Sequence, residues 1–217
     1  MENKIFEKLH LGCGLNTPDG WLNIDGSWNA WLSKYPLIKR CLRLLKILKD
    51  NKEWGANIFV WDLRRPLPFK DNTFKAIYAS HLLEHLYLED AIKLLHECFR
   101  VLKPRGVLRI MVPDLEEIIN SYLKNKKNKN ILAADILIEE LNLRNKQRVK
   151  GNILYRLYSY FKDFHSHKWM YDADSLIFYF KKVGFVEVEK KNLYESRIED
   201  IKEIEKNKGL CVEGIKP

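Results

Sequence analysis

Seven short apolar runs bounded by turn residues set the tightest limit on what this chain can fold into: KLHLG (8–12), WLNID (21–25), NIFVWDL (57–63), FKAIYAS (74–80), GVLRIMV (106–112), GFVEVEKKNL (184–193) and GLCVEGI (209–215). Their length and their branched and aromatic content predict strands. Between several of them lie helical patterns. Ala91, Leu94, Leu95, Cys98, Val101 and Leu102 recur at helical spacing, and the pattern stops where Pro104 and Gly106 end the helix and turn the chain. Strand, helix, strand in that order predicts an α/β fold, a doubly wound parallel sheet covered by helices on both faces. A length of 217 residues allows one well-buried domain and is short for two, so a single domain over 1–217 is expected. The polar stretch KNKKNKN (124–130) reads as an exposed loop between helices.

The formal charge of +9 points to acidic partners until its distribution is considered. Residues 28–57 carry seven Lys or Arg against two acids, and residues 124–150 carry eight against three, so those two segments hold all the excess. The basicity belongs to a helical insertion at about 28–57 and to a helical lid or substrate region at about 114–170, not to the nucleus of the fold. That argues against nucleic acid as a partner. Within 37–49, Leu37, Ile38, Cys41, Leu42, Leu44, Leu45, Ile47 and Leu48 alternate at helical spacing with Lys39, Arg40, Arg43, Lys46 and Lys49. Such a helix suits peripheral contact with an anionic membrane or, more plainly, a solvated basic face. Neither a long uninterrupted apolar run nor a signal-peptide layout is present, which makes the expected location cytoplasmic. Cys13, Cys41, Cys98 and Cys211 follow no paired spacing and read as reduced thiols.

Residues 81–85 spell H-x-x-E-H, a pattern that one class of zinc peptidases uses to hold metal. On a helix, His81, Glu84 and His85 would share a face, so a zinc hydrolase built on them is one alternative. It leaves the glycine turn and acids described next without a role. Glu84 reads more simply as a first-turn acid favoured by the helix dipole, and no metal ligand is assigned.

In an open α/β sheet, ligands bind beyond the carboxyl ends of the strands, at the switch in strand order. The first predicted strand ends in Gly12-Cys13-Gly14, where absent side chains let a ligand approach the backbone. A dinucleotide fingerprint would need glycine at position 17, which is Thr17, followed by Pro18. Eleven positions from Gly14 to Asp25 leave no room for a loop, a full helix and a strand, which counts against NAD or FAD. Asp25 and Asp62 close the second and third runs. Ionised carboxylates accept hydrogen bonds without offering any, which suits the ribose hydroxyls and exocyclic amine of a nucleoside.

Taken in order, LHLGCG, GWLNID, DLRRPLPFKDNTFKAIYASHLLEHL, LHECFRVLKPRGVLRIMVPDL and HKWMYDADSLIFYFKKVGF resemble the class I S-adenosylmethionine-dependent methyltransferases, over about residues 5–190. The similarity is strongest to small bacterial members found with polysaccharide and glycoconjugate genes. The resemblance implies a mostly parallel seven-stranded, Rossmann-like sheet with helical insertions, and S-adenosylmethionine as cofactor. It implies that Gly12, Cys13 and Gly14 lie against the methionine part, that Asp25 binds the ribose hydroxyls, that Asp62 and the Leu63 backbone read adenine, and that Ser80 joins this set. Pro66 and Pro68 would stiffen the loop over the adenine. Two positions depart from the family: His10 stands where many relatives carry an acid, and Arg105 where a second turn glycine is usual. The latter predicts a turn other than type II, which would force Arg105 to positive φ.

Methyl transfer is a direct displacement from a sulfonium, so positioning dominates and a base is needed only for a hydroxyl or protonated amine. Histidine fits that task. His81 and His85 follow the fourth strand, and the resemblance places the segment carrying His165 and His167 over the active-site mouth; His81, His85 and His167 are the catalytic candidates. His96 reads as a surface residue. Trp169 and Tyr171 either wall the acceptor pocket or pack in the core. No N/D-P-P-Y/W tetrad follows the fourth strand, which disfavours nucleobase amines. The expected acceptor is therefore a small molecule or glycan methylated at oxygen. A non-catalytic nucleoside-binding or membrane-surface module on the same fold is the remaining alternative.

Overall fold

The structure, a computed structural model, describes residues 6–44, 54, 57–143 and 166–217. Its elements are β1 (Lys8–Leu11), β2 (Trp21–Asp25), α1 (Trp28–Ser33), α2 (Pro36–Leu44), β3 (Ile58–Val60), β4 (Phe74–Ser80), a 3-10 turn (Leu83–His85), α3 (Leu88–Val101), β5 (Leu102–Val112), α4 (Leu115–Lys127), α5 (Ala133–Leu141), α6 (Ala173–Val183), β6 (Val186–Lys191), α7 (Ile201–Ile204) and β7 (Leu210–Ile215). All seven predicted strands form, joined in the order β3-β2-β1-β4-β5-β7-β6. The first five pair in parallel, and β7 runs antiparallel to both neighbours. Strand order reverses at β1, so the crevice beyond β1 and β4 is the place where this topology receives a ligand.

The near-continuous apolar character of β4 and β5 follows from burial on both faces. One face packs Leu94, Leu95 and Cys98 of α3 and Leu176 and Phe180 of α6 over Leu9, Ile77 and Leu108. The other sets Trp21, Tyr78 and Val107 against Ile198, Ile201 and Ile204. Helix α6 has clear ends: Asp172 and Ser175 form a reciprocal capping box, and Gly184 closes it in the left-handed region.

Three expectations are corrected. The stretch 124–130 is not wholly loop, because α4 continues to Lys127; Lys124, Lys126 and Lys127 occupy its last turn, where cations complement the helix dipole. Arg105 does adopt positive φ, at 64°, its N–H held by the Lys216 carbonyl at 2.8 Å. The strand pairing beside it outweighs the modest cost of that conformation. The run 57–63 supplies only a three-residue strand, so Asp62 lies in the loop beyond β3 rather than at its end. Of the basic helix expected at 37–49, residues to Leu44 are helical, and 45–49 lie outside the described residues, as do 144–165 of the lid region. No helix among the described residues is long and apolar enough to cross a membrane.

His10 is an inward-facing residue of β1. It is 2% exposed, against the rings of Trp21 and Tyr78, with Nδ1 3.2 Å from Asn23 Oδ1. Burial pushes its pKa down to about 4 from the usual 6.5. Above pH 6.5 neither state carries this proton; between 6.5 and 4 the unfolded chain takes one up and the fold does not. Stability is expected to fall through that window by on the order of 3 kcal/mol. Urea unfolding across pH should show the slope, and His10→Gln should flatten it; a slope unchanged in the variant would reject the assignment.

Candidate functional site

The glycine turn follows β1 directly. Gly12 and Gly14 sit at φ 63° and 54°, values that suit glycine. A Cβ on Gly12 would lie 3.1 Å from Leu82 Cδ1, whereas one on Gly14 would meet nothing within 4 Å. Gly12 thus packs on the chain after β4, and Gly14 faces open space. Asp25 shapes the turn from the next strand: Oδ2 accepts from Gly14 N at 2.9 Å and Oδ1 from Ser27 N at 2.7 Å. Each carboxylate oxygen keeps lone-pair capacity for a further donor. Cys13 donates its backbone N–H to Ile24 O at 3.0 Å, and burial, reinforced by the Asp25 charge, pushes its thiol up to about 12. Cys13 is a neutral wall of the turn, not a nucleophile.

Asp62 comes close to the end of β2 because Gly26 allows the two loops to touch; a Cβ there would be 2.5 Å from Trp61 O and 3.2 Å from Asp62 Cα. Trp61 N also donates to Asp25 O at 3.2 Å. Asp62 is gripped by its neighbour: Arg64 donates from Nε to Oδ1 at 2.9 Å and from Nη2 to Oδ2 at 2.8 Å, which holds the carboxyl below its usual range. An adenine amine would share this carboxylate with a guanidinium. Leu63 is buried beside it.

The loop that follows is set by two residues that sequence reasoning missed. Arg100 of α3 donates to the carbonyls of Leu67 at 2.9 Å and Phe69 at 2.7 Å, and Glu97 accepts from Leu67 N at 2.6 Å. Glu97 and Arg100 also pair with each other, one helical turn apart. Their spacing in the sequence signals a helix-surface pair but not the loop it clamps. Ser80, at the end of β4, contacts Met111 Sδ at 3.5 Å and accepts from Asn207 Nδ2 at 3.2 Å.

The H-x-x-E-H stretch is not one face of an α-helix. It spans a tight turn: His81 has φ 51°, and only Leu83–His85 form a 3-10 turn before α3. Glu84 is therefore not a first-turn acid of α3, a place taken by Glu89 and Asp90. Instead it is fully buried. His81 Nδ1 lies 3.0 Å from Glu84 Oε1 and Nε2 lies 3.2 Å from Lys208 O, and the hydrogen bond to Glu84 raises its pKa. With both nitrogens donating, His81 pins the turn and is poorly placed as a base. His167 meets His85 instead, the rings 5.1 Å apart, because Lys168 N and Trp169 N donate to Glu84 O at 2.6 and 3.2 Å. His165 lies outside the described residues, and His96 is exposed. Trp169 is 41% exposed and Tyr171 1%, so of the two only Tyr171 belongs to the core.

Fold and site together define a class of architecture: the sheet order, the glycine turn after β1 and the acid ending β2 are arranged as in the Rossmann-like methyltransferase fold. Residues 9–110, the part that carries this site, match the family model described as a methyltransferase domain. An uncharacterized protein of Methanocaldococcus jannaschii is 32% identical over 160 residues, 73% of this chain; the chain spans 63% of that relative's length. Among solved structures, a S-adenosylmethionine-dependent methyltransferase from Methanosarcina mazei aligns over 98% of this chain and 92% of its own, at 18% identity and TM-score 0.50. Phosphoethanolamine N-methyltransferase 2 of Haemonchus contortus, in complex with S-adenosyl-L-methionine, aligns over 98% of this chain and 49% of its own, at 14% identity and TM-score 0.50. At these identities the structures share the fold. The zinc-hydrolase alternative is not supported: His81 is engaged on both nitrogens, and the domain matched is a methyltransferase domain.

Proposed function

We propose that the protein transfers a methyl group from S-adenosylmethionine to a small-molecule or glycan-like acceptor, at oxygen. The observation that carries the first half is the Gly12–Gly14 turn, open at Gly14 and tied by Asp25, within the segment that matches a methyltransferase domain. In this reading Asp25 receives the ribose diol, and Asp62 with the Leu63 backbone borders the adenine under the loop that Arg100 clamps. Oxygen as the accepting atom is supported by the imidazoles of His85 and His167, side by side beyond β4, a pair suited to handling a hydroxyl proton.

Isothermal calorimetry with S-adenosylhomocysteine is expected to show one site per chain. Well-folded protein that takes up none would reject the reading. With labelled methyl donor and a panel of hydroxylated sugars and amines, label is expected on oxygen. Label confined to nitrogen would overturn the choice of atom, and cofactor binding without turnover on any acceptor would favour a non-catalytic module.

A further inference from the structure

A second chemistry lies next to the cofactor crevice. Among the described residues, Glu84, His85 and His167 form a group whose potential ligand atoms all fall within 4.8 Å of one another. Glu84 is 0% exposed; Oε1 is taken by His81 Nδ1, while Oε2 is buried with no hydrogen-bond partner. A buried carboxylate oxygen without a partner is costly, and buried charges are ordinarily paired or bound to metal. The imidazoles are oriented to match. His167 Nδ1 lies 2.8 Å from Leu141 O, and His85 Nδ1 lies 3.4 Å from Ser166 O. A carbonyl only accepts, so Nδ1 of His167 carries the proton and its Nε2 the lone pair, the tautomer that metal-binding histidines take when a second group orients them.

We propose that Glu84, His85 and His167 bind one divalent first-row transition ion, through a carboxylate oxygen and two imidazole nitrogens. Two imidazoles and one carboxylate suit zinc, cobalt or nickel better than calcium or magnesium, which prefer oxygen alone. At metal–nitrogen distances near ~2.1 Å, tetrahedral ligand atoms stand roughly 3.4 Å apart, so closing from the present spacing takes side-chain rotation of about an ångström. Three protein ligands leave at least one position open. If the protein methylates oxygen, that position takes the acceptor hydroxyl and lowers its pKa, replacing direct proton transfer to His85 or His167, whose lone pairs the ion then holds; this last role rests on the proposed function, whereas the ion site does not.

The test is direct binding to the whole chain after chelator treatment, with Co²⁺ followed by visible absorption and Zn²⁺ by calorimetry. One ion per chain is expected, with the absorption of a low-symmetry nitrogen and oxygen site. His167→Ala and Glu84→Gln are expected to weaken binding at least about 100-fold, as loss of a direct ligand exceeds the 10–100-fold typical of second-shell changes. His96→Ala, on an exposed residue of α3, should leave it unchanged. Circular dichroism identifies variants that fold; should Glu84→Gln fail, His167→Ala carries the comparison. No stoichiometric uptake by the native chain, or native-like uptake by a folded His167→Ala, overturns the proposal. S-adenosylhomocysteine binding measured on the same samples keeps the two readings apart: cofactor binding without metal removes only the ion site, and metal binding without cofactor removes only the methyltransferase reading.

Discussion

Asp25→Ala is expected to weaken S-adenosylhomocysteine binding by about 10²–10⁴-fold. The assigned role gives Asp25 two hydrogen bonds from the ribose hydroxyls, each charge-assisted and each worth roughly 1.5–3 kcal/mol, and every ~1.4 kcal/mol is tenfold in affinity. The same carboxylate also holds Gly14 N and Ser27 N, so alanine removes an organiser of the turn along with a ligand contact. Those two effects can be separated by a thermodynamic cycle with a ligand lacking both ribose hydroxyls. If Asp25 reads the diol, the native protein discriminates strongly between the two ligands and Asp25→Ala does not. Equal discrimination by both proteins would move the ribose contact to another residue, whatever the variant's overall affinity.

Arg109→Met is expected to cost about 3–5 kcal/mol of stability, the range seen when one partner of a buried ion pair is removed. Arg109, Glu205 and Glu213 are all 0% exposed. The guanidinium donates to Glu205 at 2.9 and 3.1 Å and to Glu213 at 3.4 Å, and to the carbonyls of Glu195 and Asn192 at 2.8 and 3.0 Å. It thereby ties β5 and β7 to the segment 192–205 between β6 and β7. Methionine fills a similar volume but leaves the buried Glu205 side chain with only Tyr194 N and the Cys211 thiol as partners. For a domain of this size the melting temperature should drop by roughly 10 °C. Glu205→Met added to Arg109→Met should recover much of the loss, since it removes the stranded carboxyl group. A single variant within about 1 kcal/mol of native in urea unfolding would show that the network contributes little.

Local patterning carried most of the architecture. Alternating strand and helix signals placed all seven strands, but α3 ends at Val101, before the expected stop, and β5 takes in Leu102, Pro104 and Gly106. Where local signals failed, a specific competing force won. The lysines of KNKKNKN look like a loop by composition, yet at the end of a helix they complement its dipole and extend α4. Arg105 avoids positive φ by preference, yet pairing with the strand end at Lys216 holds it there. H-x-x-E-H looks like one helical face because residues three and four apart are neighbours only where the helix is regular; here the chain makes a 3-10 turn and Glu84 points inward.

The amino-acid sequence by itself determined the strands, the glycine turn after β1 and the acid that ends β2. All of these depend on short-range properties: backbone freedom, side-chain period and the chemistry of single residues. Only the tertiary structure decided that Arg109 would be paired in the core, that Arg100 would clamp the loop from Leu67 to Phe69, and that His167 rather than His81 would face His85 beside Glu84. Each of these is a meeting of groups far apart in sequence, fixed by which buried donor finds which acceptor once the sheet has closed. The bond from Lys168 N to Glu84 O, 2.6 Å long and spanning 84 positions, brings the histidines together and has no local sequence signal.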